Sequence, residues 1–139
     1  MKRHEALAPL SREHHSALIL AQVMKKGAPA YKGMPTDTEG KVSYAVDFYK
    51  THLVEHFHKE EMILEKVKHV DETIAELTKE IIAEHEDLRK DFTMLETAED
   101  KIAALDTTGN LLEAHVRKEE RVLFPLIQEH CGDDLLSQL

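Results

Sequence analysis

The segment His-x-x-x-Glu-Glu occurs twice in the chain, at His56 to Glu61 and at His115 to Glu120, each time running into a hydrophobic stretch. A helix turns about 100° per residue, so positions four apart differ by roughly 40° and share a face. His56 and Glu60 therefore point the same way, as do His115 and Glu119. Counted by the same rule, Tyr49, Leu53, Leu64 and Val67 share the face of His56, and Leu112 and Leu126 share that of His115. His85 lies on the face of Ile74, Ile81 and Phe92, and His14 sits between Leu10, Ala17 and Ala21. Four helical segments each send a histidine inward. A single interior histidine is usually a hydrogen-bonded core residue, and one His-x-x-x-Glu arises readily by chance. Four histidines and two carboxylates at matched depth do not fit that account. A buried ionised carboxylate without a partner costs several kcal/mol, so Glu60 and Glu119 inside a small bundle call for a cation. Imidazole nitrogen with carboxylate oxygen suits a first-row transition metal. Two bridging Glu residues and four terminal His residues serve two such ions.

The elements that must position these side chains are helical. Apolar residues recur at helical spacing, and no alternating strand pattern of any length occurs. A first helix is expected from about Arg3 to Lys26, its true start nearer Ala8 because Pro9 falls in its first turns. Its stripe is Leu7, Leu10, Ala17, Leu18, Ala21 and Met24. The segment "GAPAYKGMPTD" is a loop. "TDTE", Thr36 to Glu39, reads as a capping box opening a second helix, which runs to about Lys68 with Val42, Val46, Tyr49, Leu53, Leu64 and Val67 inward. Asp71 is the expected N-cap of a third helix, whose face is Ile74, Leu77, Ile81, Leu88, Phe92 and Leu95. After a break within "LETAED", a fourth helix runs from about Asp100 to Phe124. Gly109 weakens it locally, and Pro125 is expected to kink or end it. The tail "GDDLLSQL" adds a turn or two. The pattern predicts an all-α, antiparallel up-down-up-down four-helix bundle forming a single domain over residues 1–139, with a crossover after the first helix as the alternative.

Composition narrows the function. The 139 residues carry a net charge of −9, which argues against nucleic acid, since that needs a basic footprint. No apolar run approaches a membrane span, and the N-terminus lacks the apolar core of a signal peptide. The single cysteine, Cys131, fits a reducing compartment, so a cytoplasmic location is expected. There are 10 histidines, an unusual load for helices that they do not favour.

On these motifs the sequence resembles the hemerythrin-like family, the HHE cation-binding domain. The resemblance rests on "SREHHSAL", "HFHKEEMIL", "AEHEDLR" and "HVRKEERVLFP", and covers nearly the whole chain. It implies a four-helix bundle holding two iron ions, bridged by two carboxylates and, when oxidised, by an oxygen atom. Carried over position by position, it implies His56 and Glu60, His115 and Glu119, His85 and His14 as metal ligands. His15 competes with His14 for the first helix, and His14 is preferred because His15 is rotated by about 100° towards the edge of the stripe. The oxygen-carrying members place a second His four residues from the third-helix ligand, where this chain has Ile81 and Arg89. They also end on an Asp five residues after the last His, where this chain has Glu120, with Glu119 at the four-residue spacing. The chain is thus similar to the four-His, two-Glu members, which points away from reversible oxygen transport.

The remaining conspicuous residues have plainer readings. His4, His58, His69 and His130 are expected in solvent, and His52 at the rim. Glu61 and Glu120 are expected exposed, with a role as acceptors for a ligating His as the alternative. Tyr49 is expected in the core rather than lining the pocket. Arg89 either pairs with a carboxylate at the bundle or extends to water. Cys131 is expected to be a structural or incidental thiol. The functional expectation is a di-iron module binding oxygen or a related small ligand such as nitric oxide or peroxide, for sensing, storage or protection, rather than a dedicated catalyst. The alternatives are a redox enzyme or iron donor in oxidative damage and iron-sulfur repair, and a metal-buffering scaffold. Zn or Mn suits the same ligands.

Overall fold

Acidic caps and one early proline set where the helices begin. The computed structural model describes residues 2–139 and contains no strand among them. Helix α1 (Ala8–Met24) has Pro9 in its first turn, where a missing N–H breaks no helical bond. The second long helix is built from α2 (Thr38–Phe48), a π-helical turn (Tyr49–Leu53) and α3 (Val54–Val67). Its cap is Asp37, whose carboxylate accepts from the Gly40 N–H at 2.9 Å. The N-cap is therefore Asp37 and not Thr36, and the expected capping box does not form, because Gly40 and not a glutamate stands three residues after the cap. Asp71 caps α4 (Glu72–Met94), as its position predicts, by accepting from the Thr73 N–H. A 3-10 turn (Leu95–Thr97) makes the break in "LETAED".

The last long helix does not stop at Pro125. Asp100 caps α5 (Lys101–Lys118), a second π-helical turn (Glu119–Leu123) follows, and α6 (Phe124–His130) continues the rod. Pro125 falls in the first turn of α6, where the wider π turn has already interrupted the i→i−4 ladder that proline cannot join. The single turn α7 (Asp133–Leu136) lays Leu136 on the core.

Neighbouring helices run antiparallel. Arg3 bonds Glu120 while Gly109 abuts Met24, so α1 ascends as α5 and α6 descend. Tyr49 stacks on Phe92 while Glu61 meets His85, which reverses α4 against α2 and α3. Gly109 is needed at its crossing: a Cβ there would lie 2.9 Å from the Ala21 carbonyl oxygen and 2.9 Å from Met24 Cβ. The result is the up-down-up-down four-helix bundle. No helix among the described residues is long and apolar enough to cross a membrane.

The core is in two pieces. One cluster, including Leu20, Met24, Val46, Phe57, Leu88, Phe92 and Leu112, fills one end. The other, including Leu10, Leu64, Ile74, Ile81, Phe124 and Ile127, fills the opposite end. Between them lies a layer of buried histidine and glutamate.

Candidate metal centre

The structure brings together all six residues picked out by spacing. His14 and His56 converge with Glu60 on one side, and His85 and His115 converge with Glu60 and Glu119 on the other. All six are buried, each 3 % exposed or less. His15, one residue from His14, is exposed, as its rotation on α1 requires.

Each imidazole presents the same atom inward. His56 Nε2 lies 2.9 Å from Glu60 Oε2, His14 Nε2 3.1 Å from the same oxygen, and His85 Nε2 3.0 Å from Glu60 Oε1. His115 Nε2 lies 2.8 Å from Glu119 Oε1, which is also 3.4 Å from His14 Nε2. The two carboxylates thus stand between two pairs of histidines.

The outward nitrogens explain why the rings are held this way. Every Nδ1 donates to a carboxylate from a neighbouring helix: His14 to Glu120 at 2.7 Å, His56 to Glu13 at 3.0 Å, His85 to Glu61 at 2.7 Å and His115 to Glu84 at 2.7 Å. A carboxylate can only accept, so it fixes the proton on Nδ1 and leaves Nε2 free to act as a ligand. Glu61 and Glu120 are therefore half-buried partners of ligand-type histidines, and the expectation that they are exposed is corrected. Glu13 and Glu84 were missed altogether. Each immediately precedes a stripe histidine, and that adjacency was the only trace they left in the sequence. Arg89 takes the first of its two readings, bonding Glu61 at 2.9 Å.

Aromatic rings close the layer. Phe57 stacks on His85 with centroids 4.3 Å apart, and Phe124 stacks on His14 at 5.6 Å. Neither was singled out by spacing, because each sits beside the motif rather than in phase with it. Tyr49 stacks on Phe92 instead and is core, as expected. His52 packs on Phe48 at the exposed rim. His4 is half-buried, not solvated, because its Nδ1 accepts from the Ala6 N–H just ahead of α1.

The charges in the layer are strongly coupled. Burial would lower the His14 pKa, but its contacts with Glu119, Glu120 and Glu60 outweigh that and raise it to about 12. For His115 the same contest, against Glu119, Glu84 and Glu60, ends at about 10. Burial favours a neutral Glu60, yet His56, His14 and His85 hold its carboxyl well below the usual range.

One mismatch shows what is lacking from protein atoms alone. Among the described residues, both oxygens of Glu119 and the Nε2 of His115 are buried with no hydrogen-bond partner, although Nε2 and one of those oxygens stand 2.8 Å apart. Buried polar atoms are nearly always satisfied. Two carboxylate oxygens and an imidazole nitrogen, all unsatisfied and converging, are the atoms a metal ion would take up. The donor set, oxygen and nitrogen without thiolate, suits iron, manganese or zinc.

Comparison with known proteins agrees with this chemistry. Neither the curated proteins nor the solved structures gave a significant match. The family model described as the hemerythrin HHE cation binding domain matches residues 5–127, a span that contains all six residues of the cluster and the four carboxylates around it. The chain belongs to the hemerythrin HHE cation-binding domain family.

Proposed function

We propose that the protein holds two iron ions in this layer and offers them to oxygen or a related small ligand such as nitric oxide or peroxide, in sensing, storage or protection. The observation that carries the reading is Glu119, a fully buried carboxylate with both oxygens unsatisfied, set opposite a second buried carboxylate between two histidine pairs. His14 and His56 would hold one ion, His85 and His115 the other, with Glu60 and Glu119 shared. The ions would supply positions at which a small ligand binds and electrons are exchanged.

The rest of the chemistry belongs to the chain. Glu13, Glu61, Glu84 and Glu120 keep each imidazole in the tautomer that exposes Nε2 and raise its basicity. Phe57, Phe124 and the apolar clusters above and below exclude bulk water, which strengthens every charge interaction inside. Surface cavities of about 520, 470, 320 and 300 Å³ are lined by none of the six central residues. The layer is reached through none of these cavities, which suits a diatomic or similarly small ligand.

The test is metal analysis and optical spectroscopy on protein from iron-replete cells. Two irons per chain are expected, with charge-transfer absorption that changes on exposure to oxygen, nitric oxide or peroxide. Protein that carries only zinc, or iron whose spectrum is indifferent to all three, overturns the reading. Sustained consumption of peroxide or nitric oxide would move the assignment to the enzyme alternative.

A further inference from the structure

The four outer carboxylates hold equivalent positions, yet one corner differs from the other three. Glu120 is paired with Arg3 at 3.1 Å, Glu61 with Arg89 at 2.9 Å and Glu84 with Lys118 at 2.8 Å. These cations are themselves anchored: Arg3 lies over Phe124, Arg89 over Phe57, and Lys118 also reaches Glu80. Glu13 has no cationic partner among the described residues. Among the described residues, the one hydrogen bond of its carboxylate is the one it accepts from His56. Arg12 and Lys59 border the same surface without bonding it.

Exposure follows the same division. The Glu13 side chain is 41 % exposed, against 25 % for Glu120, 26 % for Glu61 and 22 % for Glu84. Glu13 also has room to move. It borders two grooves between α1 and the second long helix, one of about 470 Å³ with Ser16, Phe48 and His52, the other of about 320 Å³ with Met62 and Ile63. The other three carboxylates line neither groove.

We infer that metal ions reach and leave the centre through the Glu13–His56 corner, with Glu13 as the gate. When its side chain swings into either groove, His56 Nδ1 loses the bond that fixes the ring. His56 can then turn out of the layer and open a path to Glu60 from the α1 side. The other corners stay shut because opening them breaks a carboxylate–cation pair as well as a hydrogen bond. Glu13 is here a positioning residue, acting through His56. The inference rests on the metal-binding reading above.

The test uses Co²⁺ uptake into the chelator-stripped protein, followed optically, and chelator extraction from the loaded protein. A gate changes both rates in the same direction. Glu13→Ala, which removes the gate, should speed uptake and extraction together by several-fold, while Glu84→Ala should speed uptake little. Ser16→Arg places a guanidinium three residues along α1 from Glu13, the spacing at which Arg89 pairs with Glu86. It should slow both rates. A charge that merely attracts or repels the metal moves the two rates in opposite directions. Opposite changes in either variant, or equal acceleration by Glu84→Ala, therefore overturn the gate and leave the metal centre standing. Failure of the unsubstituted protein to take up Co²⁺ at all overturns both.

Discussion

His14 and His15 differ in one helical step and in nearly everything else. His14 bonds Glu120 and reaches Glu60 in the buried layer, whereas His15 faces solvent. His14→Ala should therefore cut the bound metal to half or less, with His15→Ala near the full complement, as read by metal content per chain. Equal losses from both would refute the assignment. The phase rule that separates these two residues also found the other five members of the cluster. It works because burial in a bundle is decided by angle around the helix. The outer carboxylates escaped it for the same reason. Glu13 and Glu84 stand one residue, roughly 100°, away from their inward neighbours. Phase alone places such residues at the rim, and only the position of the adjacent helix turns a rim carboxylate towards a histidine.

At the scale of elements, the four rods were legible from apolar stripes, the Asp71 cap and the Gly- and Pro-rich loop, but their irregularities and the Asp37 cap were not. Two π-helical turns, Tyr49–Leu53 and Glu119–Leu123, have no residue signature. Each is a choice of hydrogen-bond register that the sequence leaves open. Pro125 marks the second disturbance, and on sequence alone it predicts a kink or an end, because a lone proline cannot show that the ladder has already been broken ahead of it. Gly109 was read as a weak point in its helix, and its packing gives the counterweight. Replacing Gly with Ala in a helix gains about 1 kcal/mol of propensity. Here the new methyl would meet a backbone oxygen and Met24 Cβ, both at 2.9 Å. Backbone cannot yield as a flexible side chain does, and overpacking costs about 1–3 kcal/mol. Gly109→Ala should therefore lower the urea midpoint, by the equivalent of about 1 kcal/mol net. A raised midpoint would mean that α1 and α5 separate easily.

The whole molecule should respond to protons and metal in opposite senses. In the metal-free protein the His14 and His115 pKa values lie at about 12 and about 10, above the ordinary 6.5. Groups raised on folding stabilise fully below their unfolded value, and that contribution fades as pH rises through the folded one. The metal-free melting temperature should thus fall between pH 6.5 and pH 10. Metal needs the same nitrogens deprotonated, so its stabilising effect should grow over that range. At a thousandfold excess over Kd it is worth about 4 kcal/mol, or about 14 °C for a chain of this size. A gap between loaded and stripped melting temperatures that shrinks with rising pH would contradict this. The polar layer that divides the apolar core has a further consequence, for cooperativity. Once metal is stripped, the cluster around Phe92 and Leu112 and the cluster around Ile81 and Ile127 adjoin a layer of charges rather than each other. Each can then open as its own foldon. Amide hydrogen exchange on stripped protein should resolve two opening free energies, one for each end of the bundle. Binding metal should merge them into a single global value, because metal held by this cluster would tie all four helices at the boundary between the two halves.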